Sequence, residues 1–332
     1  MQAMLDLGVH VHATSIGPWW SAARSASSIW TRWPIEISYY HRRSFRELTS
    51  AVIASSQPAA VVSFFMRTAE YVRHRRDVPR ILVAEDCRLL YQQRSRQSTS
   101  SKLQRLVRSF EVRQLRAYEP AVMTDFDVAT FVTQTDIDAM TEAQPKGHYA
   151  LLSNGVDLDA YRFRPDRESR TVLFAGKLNV EANHVMAMDL VCSIWPRVRT
   201  LVPDATLVIA GSFAKAELRR HMQTRGIEYV DAPASLEPLY HRGAVFAHPH
   251  RGGSGIQNKV LEAMATGCAV VTSPTGLQGI DAVNGVHAQV GTTHDELAHH
   301  IASLLLNPQQ RDSMALEARR LMESTKSWDA ID

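Results

Sequence analysis

Two textures of apolar spacing alternate along this chain. Short runs that are apolar throughout, bounded by turn residues, fit strands buried on both faces. Stretches with apolar residues every three or four positions fit amphipathic helices. In the first half the pattern predicts helices over 45–54 and 68–75, one long helix over 90–118 and a short one over 136–142. Strands are expected over 59–65, 80–84 and 126–132, with a short strand near 151 that ends in the turn signal Asn154-Gly155. Tyr161 to Arg164 alternates briefly like a strand, and a proline-led polar run follows, so 158–170 reads as a linker. The second half restarts with strands over 171–176, 205–211, 227–230, 244–247 and 268–272. Helices are expected over 185–195 (stopped near Pro196), 214–225, 236–240, 259–265, 295–306 and 309–322.

Apolar strands alternating with helices specify an α/β chain with parallel sheets covered on both faces. Two such runs give two Rossmann-like lobes, 1–157 and 168–318, with a last segment 319–332. Ligands of such sheets sit beyond the carboxyl ends of the strands, and two lobes would face a central cleft. The start is unusual. Residues 3–8 read as a helix end stopped by Gly8, and 9–13 alternate like a strand, so the first lobe is expected to be truncated.

Bulk properties narrow the picture modestly. At 332 residues, two domains are expected. Composition is ordinary for a globular protein, with 45% hydrophobic and 21% charged residues. A formal charge of +3 is too small to argue for nucleic acid. Cys87, Cys192 and Cys268 are scattered and form no CxxC, which argues against a disulfide framework or zinc site and fits the cytoplasm. No apolar run approaches the roughly 18–20 residues of a membrane span, and the start lacks a signal-peptide pattern.

The strongest chemical feature is Arg251-Gly252-Gly253-Ser254-Gly255-Ile256-Gln257-Asn258-Lys259-Val260-Leu261-Glu262. A glycine-rich turn between a strand and a helix lets backbone approach a ligand closely. The helix start adds unused N–H groups and partial positive charge, which suit a diphosphate. Lys259 supplies a further charge. Glu262, about 10 Å along the helix from Gly255 at roughly 1.5 Å per residue, could accept two ribose hydroxyls. Ser254 and Gln257 also make a capping box, which needs no ligand.

The segment from Pro249 to Val271 resembles the donor-site signature of family 4 glycosyltransferases of the GT-B fold, in the bacterial polysaccharide branch with GSGIxNKVLEAMA. Phe174-Ala175-Gly176-Lys177, Asn183, Ser153-Asn154-Gly155-Val156-Asp157, Tyr118-Glu119 and Ser327-Trp328 resemble further pieces of that family. The resemblance implies retaining, metal-independent transfer from a nucleotide sugar to a glycan or lipid-linked acceptor, in cell-surface polysaccharide or glycolipid assembly. It implies Glu262 on the ribose, Gly253, Ser254, Gly255 and Ile256 toward diphosphate and sugar, and Lys177 on the pyrophosphate. It also implies that 319–332 crosses back to the first lobe. Asn183 stands where many members carry lysine, leaving Lys177, Lys259 and Arg251 to neutralise the diphosphate. The family's opening strand and glycine-rich loop are not found at the start of this sequence. Other readings are a sugar-nucleotide epimerase of the same fold, and a non-catalytic protein that binds nucleotide or a partner.

Glu85 and Asp86 follow the strand over 80–84 where relatives carry an acidic pair. They would orient the acceptor or stabilise charge on the sugar, or else merely cap a helix. Residues 94–116 carry Arg94, Arg96, Lys102, Arg105, Arg108, Arg113 and Arg116 beside an apolar stripe of Leu103, Leu106, Val107 and Phe110. The stripe either packs on the body or rests at the inner face of an anionic membrane. His248 with His250 and His10 with His12 lack a third ligand, so no metal is expected. Trp19-Trp20 is expected in a loop.

Overall fold

The computed structural model describes residues 6–98, 101–164, 169–252 and 255–331. Two compact units divide the chain, Met1–Leu152 and Ser153–Asp332, and the stretches 158–170 and 319–332 both belong to the second.

The first unit opens with helices α1 (Pro18–Thr31), α2 (Ile35–Tyr40) and α3 (Arg43–Ser56). Strands β1 (Val61–Phe64) and β2 (Arg80–Glu85) follow, with a short 3-10 helix Met66–Tyr71 between them. Helices α4 (Arg88–Ser98) and α5 (Lys102–Met123) lead to β3 (Val128–Phe131), α6 (Gln134–Ala143) and β4 (Tyr149–Leu151). The four strands form one parallel sheet in the order β1-β2-β3-β4. Leu82, Ala84, Ala129 and Phe131 pack from this sheet against Leu115, Val122, Met123 and Met140.

Two buried carboxylates of α5 hold neighbouring helix starts. Glu111 accepts the backbone N–H of Ile35 at 2.7 Å, and Glu119 accepts those of Arg88 (2.8 Å) and Leu89 (2.7 Å). These are the orphan donors every helix start leaves. Burial pushes the Glu119 carboxyl up to about 8, while the two N–H bonds favour its charged form.

Four expectations fail in this unit. Residues 9–13 form no strand, because no neighbouring strand pairs with them and Val9 is exposed. The long helix over 90–118 is two helices, the second capped by Ser101, whose hydroxyl accepts from Gln104 N–H. The helix over 68–75 is the shorter 3-10 turn. Trp19 and Trp20 lie in α1, not in a loop. This helix turns Ser21 and Ser28 inward and leaves Trp19 (87%), Trp20 (76%) and Trp30 (79%) exposed. Its inward face is polar and small, so the usual apolar signal of a packed helix is inverted.

The second unit runs β5 (Thr171–Ala175), α7 (Glu181–Asp189), a π-helical turn Leu190–Ile194, α8 (Trp195–Leu201), β6 (Thr206–Gly211), α9 (Ala216–Thr224), β7 (Glu228–Asp231), α10 (Glu237–Arg242) and β8 (Val245–His248). It ends with α11 (Asn258–Thr266), β9 (Ala269–Thr272), β10 (Gln289–Val290), α12 (His294–Leu306), α13 (Pro308–Thr325) and α14 (Trp328–Ile331). The sheet is parallel throughout, in the order β10-β9-β8-β5-β6-β7. Chain direction across the sheet therefore reverses between β5 and β8, which makes their carboxyl ends the topological switch point. Val172, Phe174, Val245, Ala247, Ala269 and Val271 belong to one buried cluster with the covering helices.

The helix expected to stop at Pro196 continues to Leu201. Proline removes one N–H from the ladder, and the π turn just before it absorbs that loss, with Trp195 N–H reaching Leu190 O. Residues 161–164 make no strand; Tyr161 instead turns back on Asp157, its N–H donating to Asp157 O at 2.9 Å.

Candidate donor site at the switch point

The carboxyl ends of β5 and β8 bring the family-like pieces together. After β5 come Gly176 and Lys177; after β8 the chain passes His250 and Arg251 to Gly255 and enters α11. Gly253 and Ser254 lie outside the described residues. Gly255 has φ 74°, a left-handed conformation that favours glycine. Ile256 beside it is buried.

The expected capping box involves Ser254, which lies outside the described residues. The N-cap residue of α11 is Gln257, whose own side chain makes no capping hydrogen bond. Backbone N–H groups at a helix start of this kind suit an anion. Glycine is also required at the end of β6. A Cβ on Gly211, at φ 149°, would lie 1.8 Å from the Gly176 carbonyl oxygen. This close approach pins the loop that carries Lys177, whose ammonium stands 5.8 Å from the Phe213 ring centre.

Lys259 reaches back from α11 to donate to Asn183 Oδ1 at 2.8 Å, and Asn183 Nδ2 donates to Lys177 O at 3.0 Å. Asn183 thus joins the β5 loop to the start of α11, a different job from carrying charge. Desolvation by burial holds Lys259 down to about 8, with the Glu262 carboxylate opposing the drop.

Glu262 is aimed by two tyrosines. Its Oε2 accepts the Tyr240 hydroxyl at 2.8 Å, and Tyr161 also hydrogen-bonds the carboxylate. Burial raises the Glu262 carboxyl and these bonds oppose the rise. Sequence reading missed both tyrosines, since they lie far from Glu262 in the chain and carry no motif.

Arg251 has partners of its own within the second unit. Its Nε pairs with Asp189 Oδ2 at 2.8 Å and its Nη2 contacts His294 Nε2, so it ties its loop to α7 and α12. His248 is fully buried, stacked between Phe246 (6.1 Å) and His250 (5.3 Å), and burial holds it well below the ordinary histidine range. The loop after β8 is further fastened by Thr275, whose hydroxyl donates to His250 O at 2.6 Å. Among the described residues no cluster of three His, Cys, Asp or Glu could hold a metal.

In the first unit, Glu85 and Asp86 stand at the carboxyl end of β2. Glu85 has φ 66°, a strained conformation for a residue with a side chain. Burial and Asp86 raise its carboxyl, with Arg67 opposing. Asp86 lies 3.6 Å from Arg88. The apolar stripe of α5 is exposed at its start, at Leu103 (72%), Leu106 (69%) and Val107 (48%), and half-buried at Phe110.

Comparison with known proteins agrees with this geometry. Residues 169–307 match the family described as "Glycosyl transferases group 1". A phosphatidyl-myo-inositol mannosyltransferase of Mycolicibacterium smegmatis is 30% identical over 170 residues, covering 48% of this chain and 42% of that protein. The match thus spans less than half the length of that curated relative. Sucrose-phosphate synthase from Thermosynechococcus elongatus superposes with TM-score 0.68 at 17% identity, covering 86% of this chain and 74% of the other. The Anabaena protein HepE, solved with UDP and glucose, gives 0.66 at 14% identity, covering 86% and 79%. The fold is therefore GT-B, and residues 169–307 carry a sequence of the group 1 glycosyl transferase type.

Proposed function

We propose that the protein is a family 4 glycosyltransferase that moves a sugar, with retention and without a metal, from a nucleotide-sugar donor to a glycan or lipid-linked acceptor. The observation that carries this reading is the convergence at the β5/β8 switch point. The start of α11, whose N-cap Gln257 makes no side-chain capping bond, gathers there with Gly255, Lys177 and Lys259, one helix turn from a carboxylate held by two tyrosines. In this reading the diphosphate takes the α11 N–H groups and the two ammonium groups, and Glu262 accepts the ribose hydroxyls. Asn183 keeps Lys259 turned toward the diphosphate. The similarity of 169–307 to the group 1 family, and the UDP held by HepE in its crystal structure, support the donor class. Glu85 or Asp86 would act on the acceptor or on the developing charge of the sugar.

The exposed Leu103, Leu106 and Val107, flanked by Lys102, Arg105 and Arg108, support a peripheral seat on an anionic membrane, where lipid-linked acceptors reside. Such a seat belongs to the cytoplasmic face, which fits assembly of a cell-surface polysaccharide or glycolipid. Calorimetric titration of the chain with UDP- and GDP-sugars tests the donor reading, and release of UDP or GDP in the presence of acceptors tests turnover. Binding without release under any acceptor would favour the non-catalytic reading.

A further inference from the structure

Arg67 sits in a cavity that the donor reading does not use. The cavity measures about 240 Å³ and lies wholly within the first unit, just past the carboxyl end of β1. Tyr40, Phe45 and Tyr71 form its aromatic walls, and Arg42 and Arg67 line it with no carboxylate. The Tyr71 hydroxyl is fixed, donating to Tyr40 O at 2.7 Å and accepting Arg42 N–H at 2.9 Å.

The Arg67 guanidinium lies over two rings, 4.3 Å from the Phe65 centre and 4.9 Å from that of Tyr40. Its acidic partner, Glu36, stands 3.7 Å off and is bonded more closely by Arg88 at 2.9 Å. Among the described residues the Arg67 side chain donates no hydrogen bond, although only 29% of it is exposed. Arginine stacked on aromatic faces keeps its in-plane fork for a carboxylate or phosphate. Phe65, which supplies one of the rings, has φ 63°, a strained backbone that the fold maintains. Backbone strain at Phe65, the two rings and a guanidinium only loosely paired with Glu36 converge on one point.

We propose that this cavity is the acceptor subsite and that it takes a sugar ring bearing an anionic group, a carboxylate or a phosphate. The ring lies on Tyr40 and Phe45, and the anion meets the Arg67 fork. The volume is below the roughly 300–1,000 Å³ of larger ligand sites, so one ring fits and a nucleotide sugar does not. The acceptor role rests on the transferase reading above; the anionic specificity rests on Arg67 alone.

The test is titration of the full chain with glucuronate, glucose 6-phosphate, neutral glucose and inorganic phosphate, followed by ligand-observed NMR. One or both charged sugars are expected to bind at least about tenfold more tightly than glucose and than inorganic phosphate, and which of the two binds tells carboxylate from phosphate. Arg67→Gln should abolish that preference. Arg67→Lys, which keeps charge without the fork, should restore only part of it. UDP and GDP titrations of both variants serve as the fold control and should match the parent chain. Equal binding of charged and neutral sugars, phosphate binding as well as the charged sugars, or no effect of Arg67→Gln would overturn the proposal. Failure of UDP and GDP to bind the parent chain would sink the donor reading instead, and leaves the Arg67 result to be judged separately.

Discussion

At the scale of single residues, Lys259 and Glu262 carry the sharpest tests. An ammonium bonded to a neutral amide is costly in an empty site and useful once a diphosphate arrives. Desolvation holds Lys259 down to about 8, and in the proposed donor site it must be charged to meet a diphosphate. On the proposed reading donor affinity is therefore full about a unit or more below pH 8 and falls as pH rises through it, up to about tenfold per unit. A pH series of nucleotide titrations reads this, and a flat profile from pH 7 to 9 would remove Lys259 from the site. Lys259→Met should weaken binding yet raise Tm by about 2 °C or more, because it deletes a desolvated charge. Tyr240→Phe leaves Glu262 with Tyr161 and should cost about three- to tenfold in nucleotide affinity, less than removing the carboxylate itself. The strand–turn–helix that carries Gly255, Lys259 and Glu262 was legible in the sequence because a glycine turn before a helix has a physical signature, whereas Lys177 was singled out only through the family resemblance. Tyr161 and Tyr240 were not, since only the fold brings them beside Glu262.

At the scale of elements, the strand ends decide the site. The Gly211 approach to Gly176 leaves no room for a methyl group. Gly211→Ala should cost about 3 kcal/mol of stability, measured by denaturant unfolding, from clash and backbone strain together. Nearly every buried strand of the second unit was readable as an apolar run, because strands covered on both faces need no alternation. The failures share a physical cause, which is that local pattern does not see partners. Residues 9–13 alternate but find no strand to pair with, and α1 hides its helix signal by facing serines inward. Pro196 marks a break in any local reading, yet the π turn before it lets the helix run on.

At the scale of the whole molecule, the two units carry different candidate features. The second holds the donor-type loop, and the first holds the acidic pair, the Arg67 cavity and the exposed basic and apolar start of α5. If that start seats the protein on lipid, the chain should sediment with vesicles rich in anionic lipid and not with zwitterionic ones. Leu103→Asp with Leu106→Asp should abolish sedimentation while leaving nucleotide affinity unchanged. Unchanged sedimentation would assign those leucines another role. The central claim is the donor site, and calorimetry on the parent chain and on Glu262→Ala tests it most directly. The account predicts that UDP or GDP binds the parent, and that a folded Glu262→Ala loses at least about tenfold in affinity, the equivalent of roughly 1.5–3 kcal/mol for a charge-assisted hydrogen bond. Equal affinity in the two proteins, or no nucleotide binding to the parent, would contradict it.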